Sequence, residues 1–94
     1  MRRAARVDNN QSDIVDALRR IGVAVEILGK PVDLLICHRG ETALMECKCP
    51  NPDGGSHPLT KDQVEFIARW PGKIHIAHSV DEALRLVLGE EVMR

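Results

Sequence analysis

Two short aliphatic runs separated by a glycine-containing turn constrain the fold of this chain most. Residues 32–38 and 42–48 are rich in Leu, Ile, Val and Ala, and Gly40 with its polar neighbours lies between them. Apolar runs of this length bounded by turn residues predict a β-hairpin. Because side chains alternate across a strand, we expect Glu46 and Lys48 to share one face, opposite to Cys47.

Helical periodicity flanks the predicted hairpin on both sides. The pattern predicts helices over 10–20, 60–70 and 79–88, and further strands over 23–28 and 74–77. The resulting order, α-β-β-β-α-β-α, predicts an α/β fold with a small mixed β-sheet flanked by helices. We expect one domain over residues 1–94, with a basic N-terminal arm at 1–8 and a mobile loop at 50–59.

Capping patterns and apolar stripes orient these helices. Asn9 or Asn10 is the expected cap of the first helix, whereas Thr60 with Gln63 and Ser79 with Glu82 form capping-box patterns. The expected inward-facing residues of the second and third helices are Val64, Ile67, Ala68, Val80, Ala83, Leu84, Val87 and Leu88. Trp70 is predicted to anchor a helix end in the core rather than to stack on nucleic-acid bases.

Carboxylates and an ammonium at the strand ends are the residue types of a metal-dependent phosphodiester site. Asp33 begins the first run, and Glu46 and Lys48 end the second. Magnesium prefers carboxylate oxygens and keeps several waters, so we expect Asp33 and Glu46 to bind Mg²⁺ or Mn²⁺ with the Cys47 backbone carbonyl. Lys48 is then expected to act at the attacking water or the phosphate. The structural alternative makes Asp33 a turn residue and Lys48 a solvated charge.

Composition restricts how nucleic acid would be bound. The net charge is −1 with 29% charged residues, so any binding must come from local basic patches rather than from a bulk positive field. The candidates are Arg2, Arg3, Arg6, Arg19, Arg20, Lys30, Arg39, Lys61 and Lys73. With only Phe66 and Trp70 as aromatics, the core is expected to be aliphatic and partly completed by a partner subunit.

Cysteine usage and hydropathy indicate the compartment. Three cysteines without a recognisable signal peptide predict free thiols and a reducing, bacterial or phage-infected host cytosol. No apolar run approaches the ~20 residues that a membrane span requires. Cys47 and Cys49 with His38 and His57 permit an alternative zinc site, but the spacing suits core packing better.

Three segments together resemble the VRR-NUC domain of the PD-(D/E)XK nuclease superfamily: Gly29-Lys30-Pro31-Val32-Asp33-Leu34-Leu35, Glu46-Cys47-Lys48 and Leu59-Thr60-x-x-Gln63. Two others resemble its stand-alone version from phages and prophages: Asn9-Asn10-Gln11-x-Asp13-Ile14-Val15 and Ser79-Val80-Asp81-Glu82-Ala83-Leu84. The resemblance covers roughly residues 6–88 and implies a restriction-endonuclease-like core.

The resemblance also implies roles for individual residues. Asp33 and Glu46 would be the metal-binding acids, Lys48 the catalytic lysine and Gln63 a residue of the second helix near the site. Asp13, or less well Gln11, stands where the family carries a first-helix acid that completes the metal shell.

The activity implied by the resemblance is a Mg²⁺- or Mn²⁺-dependent DNA endonuclease, of a type associated with junction resolution. Because a 94-residue chain with two aromatics buries a limited core, we also expect a homodimer formed through spare apolar residues of the second and third helices. Its two symmetric sites would suit a roughly two-fold substrate such as a four-way junction. The alternatives are a nucleic-acid-binding module on the same fold without the chemistry, and a zinc-stabilised adaptor.

Overall fold

The computed structural model describes residues 9–48 and 59–89 of the 94-residue chain. The three helices are α1 (Asn9–Arg20), α2 (Lys61–Arg69) and α3 (Val80–Leu88). The four strands are β1 (Ala24–Ile27), β2 (Leu34–His38), β3 (Glu41–Cys47) and β4 (Ile74–Ala77). The predicted order α-β-β-β-α-β-α and the mixed α/β fold are therefore confirmed. The basic arm at 1–8 lies outside the described residues, and so do residues 50–58 of the loop predicted at 50–59.

The sheet has the strand order β1-β2-β3-β4. The first three strands are antiparallel neighbours, whereas β4 pairs with β3 in parallel after the crossover through α2. Arg39 and Gly40 connect β2 to β3 with φ angles of 53° and 84°, the two left-handed positions of a type I′ turn. This turn fixes the register from His38–Glu41 to Leu34–Met45, and one further step places Asp33 opposite Glu46.

One face of the sheet carries the core. Ile36 and Met45 are buried on this face against the α1 residues Ile14 and Leu18, which are both 0% exposed. Ala83 of α3 is also 0% exposed and belongs to the same cluster. Cys47 packs partly against this cluster, as expected for a side chain on the face opposite Glu46. The alternation predicted for the hairpin is therefore confirmed.

The predicted inner stripe of α2 is wrong. Val64 is 52% exposed, Ala68 is exposed, and Ile67 is only half-buried. Trp70, predicted as a core anchor, is 41% exposed. Periodicity identifies an apolar stripe but not the surface that covers it, and α2 has no buried residue. The helix does start as predicted, because Thr60 and Gln63 form a complete capping box.

One residue of α3 and one of α1 differ from their predicted roles, although α3 spans the predicted range after its cap Ser79. Leu88, expected to face inward, is 52% exposed because it is the last residue of α3, before the left-handed C-cap Gly89. At the other helix, α1 already includes Asn9, so Asn10 lies inside its first turn and is not the cap. Asn10 instead makes tertiary contacts, described below.

Candidate active site

The hairpin register brings the two predicted metal-binding acids into direct contact. Glu46 accepts a hydrogen bond from the Asp33 backbone N–H at 3.1 Å through Oε1. Asp33 in turn accepts one from the Cys47 backbone N–H at 2.8 Å through Oδ2. Each carboxylate is thus held by the backbone of the strand that carries the other, so their relative position depends on β2–β3 pairing rather than on a flexible loop.

Glu46 is the only buried charged side chain in the part of the chain that the structure describes, at 3% exposure. Its Oε2 atom lies 3.4 Å from Lys48 Nζ. The same oxygen accepts a hydrogen bond from Gln63 Nε2 at 2.7 Å. Burying a carboxylate is costly unless it is paired and hydrogen-bonded. The contacts from Lys48 and Gln63, together with the hydrogen bond from Asp33 N–H, compensate for this cost.

Gln63 serves the helix start and the acid cluster at the same time. Its Oε1 accepts from the Thr60 N–H at 3.1 Å, and its backbone N–H donates to Thr60 Oγ1 at 3.1 Å. The amide group that remains, Nε2, reaches Glu46 and the Pro31 carbonyl, the latter at 3.5 Å. The capping box therefore fixes the rotamer in which the Gln63 amide faces Glu46.

The electrostatic environment favours an added cation. Burial raises the pKa of Asp33 above its ordinary value of 3.8, and the neighbouring Glu46 charge raises this pKa further. The Cys47 N–H and the Lys48 ammonium oppose this increase in the pKa. Two carboxylates share this site with a single lysine, and a cation placed between them would remove their mutual repulsion.

The oxygen donors suit a hard divalent cation. Asp33 and Glu46 supply carboxylates, and the N–H and C=O of a strand residue point to the same neighbouring strand. Because Cys47 N–H faces Asp33, the Cys47 carbonyl is directed to the same side. Within residues 9–48 and 59–89 no three His, Cys, Asp or Glu side chains form a metal-binding group, so side chains would supply two ligands.

The structure does not bring Asp13 into this cluster. Asp13 is exposed, directly before Ile14, whose side chain is fully buried. Because Ile14 and Leu18 fix the rotation of α1 against the sheet, Asp13 is directed towards solvent. Gln11, the alternative first-helix residue, is half-exposed, and completion of the metal shell by either residue stays a prediction.

Asn10 of α1 reaches the site, a role that its sequence position did not indicate. Its Nδ2 donates to the carbonyl of Lys48 at 3.1 Å and to that of His78 at 3.4 Å. A backbone bond from Lys48 N–H to Ala77 O, 2.9 Å long, joins the same two strand ends. In the sequence, Asn10 is a polar amide near the start of a predicted helix, and a capping role accounted for it equally well.

The remaining predicted residues lie outside the cluster. Lys30 and Lys61 are exposed, near Asp33 and Gln63 in the chain, whereas Arg2, Arg3 and Arg6 are outside the described residues. The alternative zinc site is not formed by His38 and Cys47, because these residues lie at opposite ends of the hairpin. At a rise of 3.3 Å per residue they are roughly 20 Å apart. The other members of that site, Cys49 and His57, are also outside the described residues.

A cavity of about 710 Å³ lies at the other end of the sheet, between α3 and the core face. His38, Glu41, Lys73 and Arg85 are among the residues that line it. Glu41 and Lys73 pair with each other at its rim, with exposed side chains. This cavity lacks the buried, convergent polar groups found around Glu46, so size alone does not identify the functional site.

Comparisons with protein-family models, curated protein sequences and solved structures gave no match to this chain. Among the described residues, no helix is long and apolar enough to cross a membrane.

Proposed function

We propose that the protein is a Mg²⁺- or Mn²⁺-dependent DNA endonuclease that hydrolyses phosphodiester bonds. The observation that carries the proposal is the Asp33–Glu46–Lys48–Gln63 cluster, in which a buried carboxylate contacts an ammonium and an amide. The resemblance of these segments to the VRR-NUC domain supports the same activity. Phosphodiester hydrolysis needs charge stabilisation, a positioned water and a cation, and this residue set can supply or bind each of them.

The proposed mechanism assigns a separate role to each side chain. Asp33 and Glu46, with the Cys47 carbonyl, bind the cation, which when bound supplies Lewis-acid activation of the phosphate. The Lys48 ammonium stabilises negative charge as it develops on the phosphate, or orients the attacking water. Gln63 holds Glu46 through Nε2 and orients substrate or water beside it.

The proposed substrate is branched DNA, such as a four-way junction, cut in the cytosol by a homodimer. A two-fold dimer would present two metal sites, which suits a substrate that is itself roughly two-fold. The exposed Leu88 at the end of α3 offers apolar surface for such a contact. Sedimentation at micromolar protein concentration tests the dimer, and a monomer would contradict it.

A cleavage panel tests the activity. Purified protein is incubated with linear duplex, flap and four-way-junction DNA in Mg²⁺, in Mn²⁺ and in excess EDTA. We expect cleavage with either cation and none with EDTA, with branched forms cut faster than linear duplex. If every DNA form remains intact in both metals, the nuclease proposal is wrong. Equal cleavage of duplex and junction would contradict only the preference for branched DNA.

The second candidate function is a nucleic-acid-binding module without catalysis. One observation favours it: the Glu46 carboxylate already has partners in Asp33 N–H, Gln63 and Lys48 without a metal ion. In that case Mg²⁺ or Mn²⁺ would leave the DNA affinity unchanged. For the nuclease, the cation should tighten DNA binding, and Asp33→Asn should bind DNA at least as well as the parent in EDTA because one repelling charge is gone.

A further inference from the structure

An aromatic pair with an adjacent arginine lies on the exposed helix of the site. The rings of Phe66 and Trp70 are stacked, with centroids 5.2 Å apart and planes inclined by 27°. The Arg69 guanidinium carbon lies 5.4 Å from the centre of the Phe66 ring. These are the two aromatic residues of the whole chain. Neither is buried, and Trp70 is 41% exposed.

The backbone that follows α2 holds the Trp70 ring in place. Trp70 is the C-cap residue of the helix, and its N–H donates to the Ile67 carbonyl at 3.3 Å. The indole then lies against Gly72, where an added Cβ would come within 2.8 Å of Trp70 Nε1. The ring is therefore held by contacts with Phe66 and Gly72 while part of its surface stays open to solvent. A ring held in this way loses little conformational entropy when a ligand stacks on its open part.

This aromatic pair lies on the same side of α2 as Gln63. Phe66 and Trp70 follow Gln63 by three and seven residues, which is one helical stripe. At a rise of 1.5 Å per residue, Trp70 lies about 10 Å along the helix from Gln63. That distance equals about three nucleotides of a stacked strand at 3.4 Å each. A DNA strand passing Glu46 would therefore reach the aromatic pair within a few nucleotides.

We propose that Phe66, Arg69 and Trp70 form a platform on which an unpaired base of the cleaved DNA strand stacks. Bases in a duplex already stack on their neighbours, so an exposed aromatic platform recognises unpaired ones. The inference rests on the proposed nuclease function and narrows its substrate class to branched DNA with unpaired nucleotides beside the branch point. It also gives a function to the α2 surface that the core does not use.

Charge favours nucleic acid over a second protein copy on this surface. Lys61 and Arg69 balance Asp62 and Glu65 along α2, so attraction comes from Arg69, the cation at the aromatic pair. A nucleotide offers a phosphate and a π-face to that guanidinium. A two-fold contact centred on this surface would instead bring the Arg69 guanidinium groups of both copies together, and these like charges repel.

The single tryptophan of the chain provides a direct probe. The full chain is titrated in EDTA with short oligothymidylate, flap DNA and blunt duplex, while labelled DNA reports binding independently by anisotropy. We expect saturable quenching of Trp70 fluorescence by oligothymidylate and by flap DNA, and none by blunt duplex. Phe66→Leu should weaken flap binding about 5- to 150-fold per stacked base and leave duplex binding unchanged.

Val64→Ala, at an exposed apolar position of the same helix, is the matched control and should leave both affinities unchanged. Arg69→Gln is a second variant that keeps the rings and should weaken flap binding less than Phe66→Leu. Flap binding without quenching, or equal quenching by blunt duplex, would overturn the platform. So would an emission shift with protein concentration in the absence of DNA, which would assign the surface to a second copy.

The fluorescence titration and the cleavage panel separate the two proposals. Quenching without cleavage in Mg²⁺ or Mn²⁺ supports the platform and rejects the nuclease. Cleavage without quenching rejects the platform and leaves the nuclease.

Discussion

Strand β3 carries a lysine–glutamate ion pair at each of its ends, and the two pairs differ in burial rather than in distance. At one end Lys48 Nζ lies 3.4 Å from Glu46, and their side chains are 14% and 4% exposed. At the other end Lys73 Nζ lies 3.3 Å from Glu41, and the side chains are 54% and 77% exposed. The two pairs therefore have the same chemistry and nearly the same geometry in different surroundings.

This difference shows that the environment, not the contact, identifies the functional end. An exposed pair is screened by water and stabilises a protein by only about 0–1 kcal/mol. The buried pair has a desolvation cost, yet it is retained next to a second carboxylate, Asp33. Groups kept in costly surroundings are candidates for function, so the buried end of β3 is where we expect chemistry and the exposed end is a natural control.

The largest expected effect comes from removing each lysine in turn. Lys48→Ala should lower the cleavage rate on the order of 10²–10³-fold, because it removes a charge aimed at the transition state. Lys73→Ala, at the exposed pair, should cleave like the parent. Single-turnover rates in Mn²⁺ measure both variants. Substantial activity in Lys48→Ala would move the catalytic role to another residue, such as Gln63.

The two glutamates should differ in their contribution to stability. The Glu46 oxygens accept hydrogen bonds from Gln63 and from Asp33 N–H. Glu46→Gln replaces one of these oxygens with an NH₂ group, which cannot accept. A buried donor is then left unsatisfied, at a cost of roughly 1–3 kcal/mol. Glu41→Gln should change the free energy of unfolding by less than about 0.5 kcal/mol. Urea unfolding followed by circular dichroism compares them, and equal effects would contradict the difference in environment.

The acids should also differ in the sign of their pH dependence. Because the pKa of Asp33 is raised in the folded protein, protonation of Asp33 favours the folded state. This contribution to stability is fully present below pH 3.8 and is lost as the pH rises through the folded-state pKa. Hydrogen bonds from His78 lower the pKa of Glu82 below 4.5, so its contribution is present above pH 4.5 and lost as the pH falls through the lowered value.

Unfolding free energies at several pH values, with Asp33→Asn and Glu82→Gln as references, measure the two contributions. We expect the parent to lose stability relative to Asp33→Asn with rising pH and to gain it relative to Glu82→Gln. Slopes of the same sign would mean that burial does not control the protonation of Asp33.

The smallest expected effect concerns the exposed pair itself. A double-mutant cycle with Glu41→Gln and Lys73→Ala should give a coupling free energy of about 0–1 kcal/mol, decreasing as salt is added. A coupling well above 1 kcal/mol, unchanged by salt, would show that the exposed pair is not the weak reference that this comparison requires.

The sequence predicted the parts of the molecule that depend on local pattern. Alternation around Gly40 was sufficient to predict the hairpin, the shared face of Glu46 and Lys48, and hence the approach of Asp33 to Glu46. Capping chemistry likewise predicted the start of α2 at Thr60. These features depend on neighbours within a few residues or on one turn, which composition and spacing specify.

The sequence did not predict features that depend on how a helix is placed against the sheet. The stripe at Val64 looked like a core face, but which stripe is covered depends on tertiary packing. Asn10 looked like a cap, yet its amide joins the ends of β3 and β4. The role expected of Asp13 at the metal stays a prediction, because its exposure next to the buried Ile14 does not decide it.

Titration of Mn²⁺ into the protein, followed by calorimetry, tests most directly whether the buried end of β3 binds the catalytic cation. We predict saturable binding to the parent and to Glu41→Gln, and loss of that binding in Glu46→Gln. The two variants change the same residue type on the same strand, so any nonspecific effect of charge is shared. Equal binding by Glu46→Gln and the parent would contradict the account, because the cation would then bind elsewhere.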